Sequence, residues 1–220
     1  MPTHRGDIQS VVLNDDKQPH TYVLGGYTPA NNWCQALNVV EKYDLVNDEW
    51  SSVPNMIHAR GDKAVVVLED DIFVIGGESK IDECDVDNSD QEPVDPEEAV
   101  VPMDYVEIYD GTEKKWTVLQ EIPSERFRFT GVAYPETSTI YIFGGQKYYS
   151  AKCDCFATSS EVLYLTHNDE VDELLDLSLD SSTVTGFGKC YGLVAAVVTF
   201  LNLFNFYVCE EHIGVFRVKN

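Results

Sequence analysis

The sequence predicts an all-β fold made of recurring antiparallel strand units, and three observations carry that prediction. A short β-branched and aromatic run ending in two glycines occurs three times, as Tyr22-Val23-Leu24-Gly25-Gly26, Ile72-Phe73-Val74-Ile75-Gly76-Gly77 and Ile140-Tyr141-Ile142-Phe143-Gly144-Gly145. Each reads as a buried strand whose glycine pair lets the backbone bend or approach a neighbour where a side chain would obstruct it. After the first two diglycines comes a Tyr-Asp pair, Tyr43-Asp44 and Tyr109-Asp110, with Trp50 and Trp116 each seven positions beyond the tyrosine. Ten positions after each tryptophan stands an arginine, Arg60 or Arg126, which precedes the next diglycine by 16 or 18 positions; Arg5 stands 20 before Gly25. Four kinds of element at matching offsets make a repeat, and a repeat decides the fold before any local reading.

The order diglycine, Tyr-Asp, tryptophan, arginine resembles the Kelch repeat, whose period is about 50 residues. Here the first two diglycines are 51 residues apart and the next two 68 apart, because of an insertion. The resemblance is strong over residues 5 to 145 and degraded beyond. It implies a Kelch-type β-propeller of four-stranded antiparallel blades around a central axis. The expected blades are 5–53, 58–122, 126–180 and 189–220.

In chain order, residues 7–13 form the opening strand and Asn14 to His20 its polar turn. Ala64 to Leu68 open the second blade, and Glu69-Asp70-Asp71 turn the chain into the second diglycine strand. Tyr43, Trp50, Tyr109 and Trp116 recur at a fixed offset, which marks packing rather than a ligand box. Between Glu78 and Glu98 lie ten acidic residues and one lysine, interrupted by Pro93 and Pro96. Such a segment buries too little apolar area to order itself, so 78–103 is expected to be an acidic disordered loop. Asp85, Asp87 and Ser89 alternate as at the start of an EF-hand, but Asp90 and Pro96 occupy the positions where that loop requires Gly and Glu. The third blade keeps 129–134 as a strand. At its Tyr164 the expected tryptophan position holds Val171.

Cys190 to Cys209 is an uncharged run of 20 residues, long enough to cross a bilayer as a helix. Asn202, Asn205, the β-branched and aromatic content and the absence of basic flanks favour a degenerate fourth blade instead. Its strands would be 192–200, 203–208 and 213–218, with Lys189 in the arginine position. Three repeats and part of a fourth fall short of the number expected by resemblance. The sequence therefore reads as a partial propeller: a fragment, a truncated gene product, or a chain completed by self-association.

The formal net charge is −23, which repels nucleic acid and anionic membrane surfaces. The first residues lack an apolar segment behind a basic one, so a cytoplasmic location is expected. The six cysteines, at 34, 84, 153, 155, 190 and 209, then read as free thiols, and the Cys153-Asp154-Cys155 spacing does not suit zinc. No metal or cofactor is expected.

Function in such a fold lives in loops on a rigid scaffold. The loops after the diglycine strands share one face, and they carry Tyr27, Trp33, Tyr148, Tyr149 and Phe156 beside the acidic insertion. Aromatic loop residues anchor protein interfaces, which points to an interaction module, scaffold or adaptor for a partner with a basic surface. The alternative for each is that it covers its own blade edge. Resemblance also admits an enzyme of Kelch-like fold, of the copper oxidase or sugar epimerase type. The five histidines, His4, His20, His58, His167 and His212, fall at unrelated repeat positions and give that alternative no metal set. A membrane-anchored propeller follows only if 190–209 spans a bilayer.

Overall fold

The computed structural model describes residues 1–15, 18–29, 35–80, 100–150, 155–159, 161–168, 173–179, 194–197, 205–209 and 212–216. Its first sheet places β1 (Gln9–Asp15), β2 (Gln18–Leu24), β3 (Val40–Asp44) and β4 (Glu49–Ser52) side by side in chain order. The second is built the same way from β5 (Ala64–Leu68), β6 (Asp71–Ile75), β9 (Tyr105–Asp110) and β10 (Lys115–Glu121), with a two-stranded ribbon, β7 (Glu78–Lys80) and β8 (Val100–Pro102), inserted after β6. The third comprises β11 (Thr130–Tyr134), β12 (Thr139–Phe143), β15 (Val162–Asn168) and β16 (Glu173–Leu179), with its own ribbon of β13 (Gln146–Ser150) and β14 (Cys155–Thr158). A three-stranded sheet of β17 (Val194–Val197), β18 (Asn205–Cys209) and β19 (His212–Phe216) follows. All paired strands run antiparallel.

The first strands gather together: β1 packs beside β5, β5 beside β11, and β11 beside β17. Alternation along β6 explains why its run is apolar on both faces. Ile72 and Val74 enter a core shared with Leu13, Tyr22 and Leu24 of the first sheet, while Phe73 and Ile75 enter one shared with Phe129, Ile140 and Ile142 of the third. Cross-strand pairing also accounts for the seven-residue spacing. Tyr43 sits opposite Trp50 with ring centroids 5.0 Å apart, and Tyr109 opposite Trp116 at 5.1 Å. Trp116 donates its Nε1–H to the Pro54 carbonyl at 2.8 Å, tying the second sheet to the first.

Three expectations are corrected. The opening strand extends through Asp15, and β2 starts at Gln18, so the turn is shorter than Asn14 to His20. The reason is Asp15, which is 3% exposed and accepts hydrogen bonds from Tyr22 Oη at 2.9 Å, Lys42 Nζ at 2.7 Å and Lys114 Nζ. The 78–103 loop is strand at both ends, where Glu78, Ser79 and Lys80 pair with Pro102, Val101 and Val100; the acidic centre, 81–99, lies outside the described residues. In line with the strand reading of 190–209, its described parts are strands paired with one another, and among the described residues no helix is long and apolar enough to cross a membrane. Cys155 is disulfide-bonded rather than a free thiol.

Lys114 belongs to the turn between β9 and β10, so the Asp15 cluster joins two sheets. Burial would raise the Asp15 pKa, but the hydrogen bonds from Lys114, Lys42 and Tyr22 outweigh it and hold the carboxyl far below the usual range. A depressed carboxylate contributes stability above its unfolded value of about 4 and loses it as pH falls toward the folded one. Asp15→Asn should therefore cost about 2 kcal/mol at neutral pH. In urea titrations the gap to wild type should narrow below about pH 4.

Candidate interaction face

Each diglycine turns its chain through backbone angles that glycine alone adopts easily: φ is +53° and +98° at Gly25 and Gly26, and +52° and +101° at Gly76 and Gly77. The turn delivers the next residue, Tyr27, Glu78 or Gln146, to a bridge with the residue after a repeat arginine: Gly6, Gly61 or Phe127. The second glycine amide then bonds forward to the next unit's arginine carbonyl, Gly26 N to Arg60 O at 3.0 Å and Gly77 N to Arg126 O at 2.8 Å. Arg60 Nη1 donates to the carbonyls of Gly76 at 2.9 Å and Tyr105 at 3.1 Å, and its Nη2 to Glu107. Arg5 and Arg126 repeat this with Glu41 and Glu161, at 3.0 and 3.1 Å. These buried arginines fix where every diglycine loop leaves its sheet.

Two positions after each repeat arginine, Asp7, Asp62 and Arg128 all hold left-handed backbone, φ +51°, +45° and +51°, at the entry to β1, β5 and β11. They form a charged row across three sheets. Arg128 Nε lies 2.9 Å from Asp62 Oδ2, and its amide donates to the Asp62 carbonyl at 2.8 Å. Partial burial and then the neighbouring Asp62 push the Asp7 carboxyl up, against the pull of Arg128, Lys80 and Lys63.

The aromatic candidates separate. Tyr27 is 2% exposed: its ring lies against Gly61, where a side chain would collide with it, and its hydroxyl donates to the Glu78 carbonyl at 3.1 Å and Oε1 at 3.2 Å. Burial and Glu78 push its phenol far up. Tyr27 is therefore a joint between the first two units rather than an exposed anchor. Phe156, 7% exposed, is likewise internal, edge-on to Phe127 at 5.0 Å and to Tyr149 at 5.4 Å. Tyr149 is half-buried by that packing, and Trp33 lies outside the described residues. Tyr148 is 59% exposed on β13, which packs beside β8, where Val101 is 41% exposed. The ribbons after the second and third diglycines thus lie side by side, and each carries an exposed apolar side chain.

Reading the sequence missed the glutamates that hold the arginines and the Asp7, Asp62, Arg128 row. The row recurs two positions after each repeat arginine, and Glu41 and Glu107 stand two positions before Tyr43 and Tyr109, so the same alignment of repeats contains them; Glu161 is shifted by one, three positions before Tyr164.

Residues 18–57 match the family model of the Kelch motif. The chain is 27% identical over 140 residues to Kelch-like protein terF of Aspergillus terreus, covering 63% of this chain and 28% of that protein. It is 27% identical over 124 residues to human Kelch repeat and BTB domain-containing protein 12, covering 56% and 18%. It is 38% identical over 71 residues to Kelch repeat-containing protein kel-10 of Caenorhabditis elegans, covering 32% and 12%. The chain thus spans between 12% and 28% of the length of these relatives. The solved structure of YjhT superposes with a TM-score of 0.69 at 15% identity, covering 92% of this chain and 58% of that one, a likeness of fold. Diglycine turns, the arginines that hold them, four-stranded antiparallel sheets and these matches together identify the chain as a Kelch-repeat protein with a Kelch-type propeller fold.

Proposed function

We propose that the chain is a protein-interaction module whose diglycine face takes a partner with a basic surface and an apolar anchor point at Tyr148. The observation that carries this reading is that Tyr148 and Val101, each exposed, lie on adjacent ribbons. Supporting it, nine acidic residues lie in the sequence between Lys80 and Val100, the paired ends of the β7–β8 ribbon. Long-range attraction would bring a cationic partner in, and the aromatic anchor would hold it.

Selection of displayed peptides on the full chain tests this. Enriched sequences should be cationic with at least one apolar residue, and their binding should weaken as salt rises. Tyr148→Ala should lower affinity about tenfold or more while leaving stability within about 0.5 kcal/mol, because the side chain is exposed. Enrichment of acidic peptides, or affinity indifferent to Tyr148, would overturn the reading.

Self-association is a finer part of the proposal, motivated by a fourth sheet with three described strands where the others have four; light scattering reads it. The cytoplasmic placement is carried here too, and the disulfide at Cys155 sets its test. A thiol at Cys155 that alkylates in fresh cell extracts fits the cytoplasm, and a protected one fits an oxidising compartment.

A further inference from the structure

Three positions after each repeat arginine stand Ile8, Lys63 and Phe129. All three pack against the second glycine of their own unit: a Cβ on Gly26, Gly77 or Gly145 would lie 2.9 Å from Ile8 Cγ2, 2.8 Å from Lys63 Cβ or 2.8 Å from Phe129 Cβ. The longer two also reach back under the first glycine of the preceding unit. A Cβ on Gly76 would meet Phe129 Cε1 at 3.1 Å, and one on Gly25 would meet Lys63 Nζ at 3.0 Å. The slot between the first two units therefore holds an ammonium or amine where its counterpart holds a phenyl ring. Lys63 is 1% exposed, and its Nζ has no hydrogen-bond partner among the described residues. The charged groups around it are Arg60 and Arg5, which oppose its charge, and Asp62 and Asp7, which favour it.

At the same joint, Glu78 is 1% exposed. Its Oε1 accepts from Tyr27 and lies 3.6 Å from Lys80 Nζ, while its Oε2 has no partner among the described residues. Asp62, Arg128 and Lys80 are the charges that face it.

We propose that Lys63 and Glu78 make the joint between the first two blades a proton-controlled contact, tightest when the amine and the carboxyl are both neutral and loosest when both carry charge. An unpaired charge at either buried position costs stability, which opening the joint to water relieves. Burial, with Arg60 next, pulls Lys63 down to about 7, and burial pushes Glu78 up to about 7. The signs oppose. Lys63, with its folded value depressed, contributes stability above its unfolded value of about 10.4, which is lost as pH falls through about 7. Glu78, with its folded value raised, contributes stability below its unfolded value of about 4.3, which is lost as pH rises through about 7. Together they make the contact weakest near neutrality. Because Tyr27 and Glu78 begin the first two diglycine loops, the contact also sets how firmly those loops are held.

Urea unfolding of the full chain at about pH 5.5, 7 and 8.5 tests this, with Lys63→Ile, which installs the first repeat's residue, and Glu78→Gln. Between about pH 8.5 and 7 the wild-type unfolding constant should rise about tenfold relative to Lys63→Ile, and between about 5.5 and 7 about tenfold relative to Glu78→Gln. Parallel wild-type and variant profiles in both intervals would overturn the proposal. If the variants do not fold, the Lys63 Cε chemical shift in the wild-type chain decides: a midpoint near neutrality supports the proposal, and one above about 10 overturns it.

Discussion

Glu107→Ala should lower the unfolding free energy by about 3–5 kcal/mol, the range expected when one partner of a buried ion pair is removed. Arg60 and Glu107 are both 0% exposed, and the change strands a guanidinium in the interior. It also removes the acceptor for the amides of Ile57 and His58, at 2.8 and 3.0 Å, and for His58 Nδ1 at 2.8 Å. The third repeat supplies the control. Glu161 plays the same part for Arg126, but its side chain is 45% exposed and water can replace much of what it offers, so Glu161→Ala should cost about 1 kcal/mol. Replacing Arg60 and Glu107 together by Met and Leu should not restore wild-type stability, because the carbonyls of Gly76 and Tyr105 would each lose a donor. Denaturant midpoints at constant m-value measure all three.

Gly76→Ala should cost about 3 kcal/mol, and Gly144→Ala about 1 kcal/mol, although both glycines open a diglycine turn. Both lie in the left-handed region, φ +52° and +64°, so both variants incur the same backbone strain. They differ in space. A methyl at Gly76 would sit 2.6 Å from the Arg126 carbonyl and 3.1 Å from the Phe129 ring, whereas at Gly144 the nearest atom among the described residues is Ser159 O, at an ordinary 3.4 Å. The Arg126 carbonyl is also the acceptor of the Gly77 amide and cannot withdraw without breaking that bond. Equal losses at the two sites would show that backbone strain alone governs these turns.

The repeat was legible because its parts are local and periodic: strand runs, a glycine pair, and aromatic residues that meet across a hairpin seven positions apart. What the sequence hid depends on contacts between units. Tyr27 reads as a surface aromatic because it follows a diglycine in a loop, yet it is buried by Gly61, 34 positions away, which leaves room for its ring. Phe156 looked the same and is covered by Phe127 of the repeat start. Lys63 drew no attention, since a lysine before a strand normally faces water; only its position against Gly25 shows that it replaces a core residue. The ends of the acidic insertion were read with its middle because a three-residue strand is too short to show a pattern. Tyr148 is legible in the sequence as an exposed aromatic, and Val101 on the adjacent ribbon is not, because their ribbons are brought together only by the packing of consecutive blades.

The β7–β8 ribbon has one more consequence. Lys80 and Val100 face each other as a strand pair, so the chain leaves and re-enters the blade at points about 5 Å apart whatever lies between them. The entropy of closing a loop on such a base grows only with the logarithm of its length, about 0.6 kcal/mol per doubling. That makes the second repeat a docking port for foreign sequence. A fluorescent or ligand-responsive domain with adjacent termini could be spliced in place of residues 81–99, with both halves of the blade still meeting through the same three pairs.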